Sequence, residues 1–127
     1  MAGGEVLSAA VGVGCRSGAT VAAIVARVRE AQGRAACGVA SLHTGTNVRA
    51  PALEAAAAQL GLPLFRHDAA TLAATAPRIV SRSPRVEALL GVGSLAEAAA
   101  LAGAGEGARL IVTKFSAQGV SCAVAAT

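Results

Sequence analysis

Tryptophan and tyrosine are absent from this 127-residue chain, and phenylalanine occurs only twice, as Phe65 and Phe115. Proteins that hold single-stranded nucleic acid stack bases on aromatic rings, so that partner is disfavoured. The ten arginines argue the same way, because they are scattered rather than clustered. Lysine and aspartate occur once each, as Lys114 and Asp68. No stretch approaches the ~18 uncharged apolar residues of a membrane helix. The opening Met-Ala-Gly-Gly-Glu lacks the basic start of a secretory signal. A cytoplasmic location is expected, with no membrane partner. Cysteine is also sparse. Cys15, Cys37 and Cys122 are odd in number and widely spaced, which excludes a disulfide framework and a zinc pattern. No metal and no cofactor are expected.

What is present is apolar and small. Hydrophobic residues make up 54% of the chain, mostly Ala, Val and Leu, which excludes a disordered chain. The length suits one domain over residues 1–127. The net charge of +4 favours anionic partners.

The run Val11-Gly12-Val13-Gly14-Cys15-Arg16-Ser17-Gly18 carries the most information. It joins a strand-like segment, residues 5–13, to a helix-like one from Thr20 to about Gln32. Glycines there allow tight turning and close approach of a ligand to the main chain. A helix N-terminus and Arg16 make the corner attractive to an anion. It is not a phosphate loop, because Gly18 is followed by Ala19 and Thr20, so the required Lys is absent. It is not a dinucleotide fingerprint either, because the spacing differs and no acid ends the second strand.

Downstream, apolar period and turn residues alternate. Residues 36–42 read as a strand, followed by a loop at 44–47. Pro51 to Leu60 reads as a helix stopped by Gly61, Leu62 to Arg66 as a strand, and Ala69 to Ala76 as a helix closed by Pro77. Ser83 and Pro84 open a helix over about 84–90, and residues 91–93 form a loop. Ser94-Leu95-Ala96-Glu97 is a capping box opening a helix to about Ala102. Strands at 108–113 and 120–125 follow. This rhythm predicts an α/β protein, a three-layer α/β/α arrangement on a mixed, mostly parallel five-stranded sheet. The expected order is 3-2-1-4-5, with the last strand an antiparallel edge. Ligands bind beyond the carboxyl ends of strands where the order reverses. That places Gly14, Cys15, Arg16 and Lys114 at one crevice.

Several side chains are candidates there. Arg16, Arg49, Arg82, Arg85 and Lys114 all fall at predicted loop or strand ends and together suit a polyanionic ligand. Ser17, Gly18 and Ser94 would offer helix N-terminal N–H groups. His43 reads either as a half-buried polar residue or as a base facing the crevice. Glu97 reads as the capping-box acid or as a second candidate base. Asp68 reads as a helix N-cap. No serine sits on a nucleophile elbow.

These blocks together resemble one family. The opening Gly-Cys-Arg run, Ser83-Pro84-Arg85-Val86, Gly91-Val92-Gly93-Ser94-Leu95-Ala96-Glu97-Ala98-Ala99-Ala100, and Lys114 with Val120-Ser121-Cys122-Ala123-Val124-Ala125 occur in order along nearly the whole chain. They resemble the cobalamin-biosynthesis CobE/CbiG C-terminal family. The resemblance implies an α/β/α domain with a role in building the corrin ring. It also implies a precorrin or corrinoid tetrapyrrole as partner, rich in acetate and propionate groups, and other corrin-pathway enzymes as further partners. Substrate-binding roles are then expected for Gly14, Cys15, Arg16, Ser17, Gly18, Asn47, Arg49, Ser83, Ser94, Glu97 and Lys114. In fused relatives this domain accompanies others that open a lactone on a cobalt-precorrin and release acetaldehyde. A Lys-x-x-Glu pair usual in the loop after strand 2 is replaced here by Asn47 and Ala50. Arg49 restores a positive charge but no base, so binding is expected in preference to hydrolysis.

Overall fold

The computed structural model describes residues 8–90 and 92–127. The expected strand start at residues 5–7 and Gly91 of the expected 91–93 loop lie outside the described residues.

The chain runs β1 (Ser8–Cys15), α1 (Val21–Ala35), β2 (Gly38–Gly45), α2 (Ala52–Leu60), β3 (Leu64–His67) and α3 (Ala69–Ala73). A 3-10 turn at Ala76–Arg78, α4 (Pro84–Leu90), α5 (Leu95–Ala104), β4 (Arg109–Ala117) and β5 (Val120–Ala126) complete it. Local chemistry explains the helix starts. The side chains of Thr20, Asp68 and Ser94 accept from the backbone N–H of Ala23, Thr71 and Glu97, taking up donors that each first turn leaves unpaired. Gly33 does not end α1, which continues to Ala35 and closes on Ala36 in the left-handed region. Strand β2 runs on to Gly45, so His43 lies inside it rather than in the loop beyond. Strand β4 likewise continues past Lys114 to Ala117.

Five strands form one sheet in the order β3-β2-β1-β5-β4. The α/β class and the parallel pairing of β1, β2 and β3 match expectation. The far flank does not. The last strand lies beside β1, antiparallel to it, and β4 is the edge. Two features explain the exchange. Val120–Ala126 is buried at almost every position, as a central strand must be, whereas Arg109, Ile111, Thr113 and Ser116 of β4 are exposed. Gln118 and Gly119, at φ 55° and 78°, then make a two-residue hairpin that lays β5 back along β4.

Helices cover both faces. On one, Ile24 and Val28 of α1 and Leu53 of α2 pack on Val11, Val13, Leu42, Cys122 and Val124. On the other, the alanine-rich α5 packs on Ala123 and Ala125. Its backbone nearly touches β1, because a Cβ on Gly12 would fall 1.8 Å from the carbonyl oxygen of Ala96. Such close seating requires glycine below and small residues above. It delivers the N-terminus of α5 to the carboxyl end of β1.

Candidate functional site

A cleft of about 720 Å³ opens where that end of β1 meets the start of α5 and the β4–β5 hairpin. Gly14, Cys15 and Arg16 form one side, and Ser94, Leu95 and Ala96 of the α5 start form another. Lys114, Ser116 and Ala117 of β4 line it with Gly119 and Ser121, and Arg85 and Val86 of α4 complete it. A neighbouring hollow of about 510 Å³ shares Arg16 and Gly119 and reaches Ser17, Gly18 and Ala19 below α1. Arg16 stands between the two, its side chain lying over Gly119 and its N–H donating to the Gly119 carbonyl at 3.2 Å.

The electrostatics are one-sided. Arg16, Arg85 and Lys114 have no ion-pair partner among the described residues, whereas Arg82 is paired with Glu87. Among the described residues, no carboxylate or imidazole lines the cleft. Its floor supplies hydroxyls instead. Ser116 Oγ and Ser121 Oγ lie 2.6 Å apart across the hairpin. Burial raises the pKa of the Cys15 thiol, with the Arg66 charge opposing, so Cys15 is a neutral wall residue at ordinary pH.

The structure thus brings together Gly14, Cys15, Arg16, Ser94 and Lys114, with Ser17 and Gly18 next door. It separates others. Arg49 lines a different hollow of about 310 Å³ at the start of α2, with Glu54 and Arg66. Asn47 is exposed beyond β2, its Oδ1 lying over Gly45 where a Cβ would come within 2.4 Å. Ser83 opens α4, its Oγ accepting from Val86 N–H at 3.4 Å and its own N–H donating to Gly93 at 2.9 Å. That helix contributes through Arg85 and Val86 instead. Ser116 lies in no motif, Ser121 and Val86 lie in blocks that assign them no role, and only the hairpin register brings the two serines together.

Neither candidate base is in the cleft. Glu97 is fully buried behind it. Its Oε1 accepts from Val80 N–H at 2.9 Å and Ser81 N–H at 2.8 Å, and its Oε2 from Lys114 N–H at 2.8 Å. Burial alone would raise its pKa, but these bonds, Lys114 and Ser81 foremost, outweigh it and hold the carboxyl below its ordinary value. It is therefore an ionised, saturated structural anion. His43 is buried under α5, where a Cβ on Gly103 would fall 2.4 Å from its ring. Its Nε2 lies 2.6 Å from Ser41 Oγ and its Nδ1 2.8 Å from His67 Nε2. Burial first, and His67 second, push its pKa down to about 4.

The family model described as cobalamin synthesis G C-terminus matches residues 9–125. The chain belongs to that family. Among curated relatives, it is 37% identical over 119 residues to Protein CobE of Sinorhizobium sp, covering 91% of this chain and 77% of that protein. Among solved structures it is similar to CobE, a protein from the cobalamin (vitamin B12) biosynthetic pathway. That match has a TM-score of 0.85 and 29% identity, over 95% of this chain and 91% of the other. It is also similar to cobalamin biosynthesis protein chiG from Agrobacterium tumefaciens str. C58, with a TM-score of 0.77 and 34% identity, over 94% and 98% of the two chains. The chain is accordingly a cobalamin-biosynthesis protein of the CobE/CbiG type. Asn47 and Ala50 fall outside the cleft, in the loop before α2.

Proposed function

We propose that this protein binds a carboxylate-rich corrinoid intermediate of cobalamin synthesis, without chemical conversion, in the cleft between β1, α5 and the β4–β5 hairpin. One observation carries the reading. Three cations without ion-pair partners among the described residues, Arg16, Arg85 and Lys114, surround a cleft that none of the described carboxylates or imidazoles lines. A ligand with several acetate and propionate groups satisfies those cations, and guanidinium groups hold carboxylates bidentately. Leu95, Ala96 and Val86 offer apolar contact to a macrocycle edge. The volume of about 720 Å³ lies within the range of ordinary ligand sites.

Lactone opening would require a general base at the ligand. Glu97 is committed to three backbone donors, and His43 sits beneath α5 away from the cleft. Both facts favour holding over hydrolysis. The natural intermediates pass between enzymes, so other corrin-pathway enzymes are the protein partners this reading implies.

Titration of the protein with hydrogenobyrinic acid, followed in the visible spectrum, tests the proposal. A saturable one-to-one spectral shift with co-elution on gel filtration is expected. Turnover of a lactone-bearing precorrin with release of acetaldehyde would replace the binding reading with the enzymatic one. Absence of both shift and co-elution would remove the corrinoid.

A further inference from the structure

We propose that Glu97 is a positioning residue for the cleft, holding the β4 bulge that turns Lys114 toward the ligand. The inference rests on the corrinoid reading for its consequence and on backbone geometry for its substance.

Strand register shows the bulge. Val112 pairs with Val124 and Phe115 with Cys122, so Thr113 and Lys114 of β4 together oppose Ala123 of β5. Val112 and Phe115 both belong to the face covered by α1, where the Arg34 guanidinium lies 4.1 Å over the Phe115 ring. Strict alternation from Val112 would put Lys114 on that α1 face as well. The extra residue returns Phe115 to the α1 face and sends Lys114 to the opposite one, under α5, where the cleft lies. A bulge also takes an N–H out of the ladder. Here the freed N–H is that of Lys114, and Glu97 Oε2 accepts it at 2.8 Å.

The other oxygen joins a second wall. Oε1 takes the N–H groups of Val80 and Ser81, just before the segment that leads into α4 and Arg85. The Glu97 backbone itself lies in the first turn of α5, with its N–H on Ser94 Oγ at 3.2 Å. One buried carboxylate therefore ties two walls of the cleft, β4 at Lys114 and the start of α5, to the segment that leads into the third, α4. Glutamine cannot do this. Its amide nitrogen would face N–H donors at one end or the other, leaving the bulge or the 80–81 segment unheld.

A double-mutant cycle on hydrogenobyrinic acid binding tests the coupling. Lys114→Ala should weaken binding about tenfold in the native background, the scale of one lost charge-assisted contact. In Glu97→Gln the same change should cost less than about twofold, because Lys114 is already misplaced. A purely structural role for Glu97 would leave the tenfold ratio intact, and that result overturns the proposal. Amide hydrogen exchange on the native protein gives a ligand-free and variant-free reading. The Lys114 amide, on an edge strand, should exchange far more slowly than an unstructured amide; exchange at the unprotected rate overturns the clamp. Should hydrogenobyrinic acid not bind the native protein, the corrinoid reading falls, and the amide measurement alone decides for or against the clamp.

Discussion

His43 and His67 share one hydrogen bond, Nδ1 to Nε2 at 2.8 Å, that ties the edge strand β3 to β2 beneath α5. Only one proton fits between the two nitrogens, so the two rings cannot both be protonated while the bond is kept. Burial lowers both pKa values, that of His43 to about 4, with His67 adding to the effect on His43 and Asp68 opposing it on His67. The native state thus binds fewer protons than the unfolded one between that value and about 6.5. Stability is full above pH 6.5 and falls as pH drops toward 4, by roughly 2–3 kcal/mol from His43. Urea midpoints followed by far-ultraviolet circular dichroism at pH 7.5 and 4.5 should show this loss. His43→Gln should flatten the slope over that window; an unchanged slope would remove His43 as its source. Glu97, with its lowered pKa, acts in the same direction but below its ordinary value of 4.5.

Gly12 and Gly18 belong to the same glycine-rich run but should respond oppositely to alanine. A Cβ on Gly12 meets the backbone of α5 at 1.8 Å, which no side-chain rotation can relieve. Gly12→Ala should cost at least about 3 kcal/mol or prevent folding. Gly18 has nothing within 4 Å of its Cβ position, and Gly18→Ala should stay within about 0.5 kcal/mol of native. Denaturant unfolding of the two variants compares them directly, and equal losses would contradict the seating of α5 on β1.

Arg16 is exposed and has no ion-pair partner among the described residues. Arg16→Ala should weaken hydrogenobyrinic acid binding about tenfold while moving Tm by less than about 2 °C. Arg49→Ala, in the separate hollow beside Glu54 and Arg66, should leave affinity within about twofold. Affinity of the native protein should also fall as salt rises from 50 to 300 mM, as screening of charge contacts requires. Equal effects of the two arginine variants would mean that the cleft is not where the ligand sits.

Thiol chemistry should report the layering of the sheet. Cys122 is fully buried between β1 and α1, and burial pushes its thiol up to about 12. It should resist iodoacetamide at pH 8 until the protein unfolds, because the thiolate is the reactive form. Cys15, half-buried with a raised pKa, should react slowly and be protected further by hydrogenobyrinic acid. Mass mapping after timed alkylation separates the sites. Early modification of Cys122 would contradict its central place in the sheet.

Much of the fold is legible in the chain because its signals are local. The period of Val21, Ile24, Val25 and Val28, the caps at Thr20, Asp68 and Ser94, and the stop at Gly61 each depend on residues a few positions apart. The glycine corner is legible for the same reason, and so is half of the cleft. Strand ends are less so. Thr44 and Gly45 read as loop, yet continue β2 because Thr44 Oγ1 donates to Val13 at 2.7 Å and α5 covers the strand. That extension is what buries His43.

By itself, the sequence determines the alternation of strands and helices, the helix starts, the anion-attracting corner and the family. Tertiary structure alone decides that β5 rather than β4 lies against β1, since that choice depends on which strand can be buried on both faces. It alone separates Arg49 from Arg16, keeps Arg85 beside Arg16 and adds Ser116 and Ser121. It also turns Glu97 from a candidate base into a clamp, because the N–H groups that saturate it lie 16 and 17 residues away along the chain. Local patterns record what neighbours in sequence do to one another. Strand order and carboxylate partners are set by packing between segments that meet only in the folded protein.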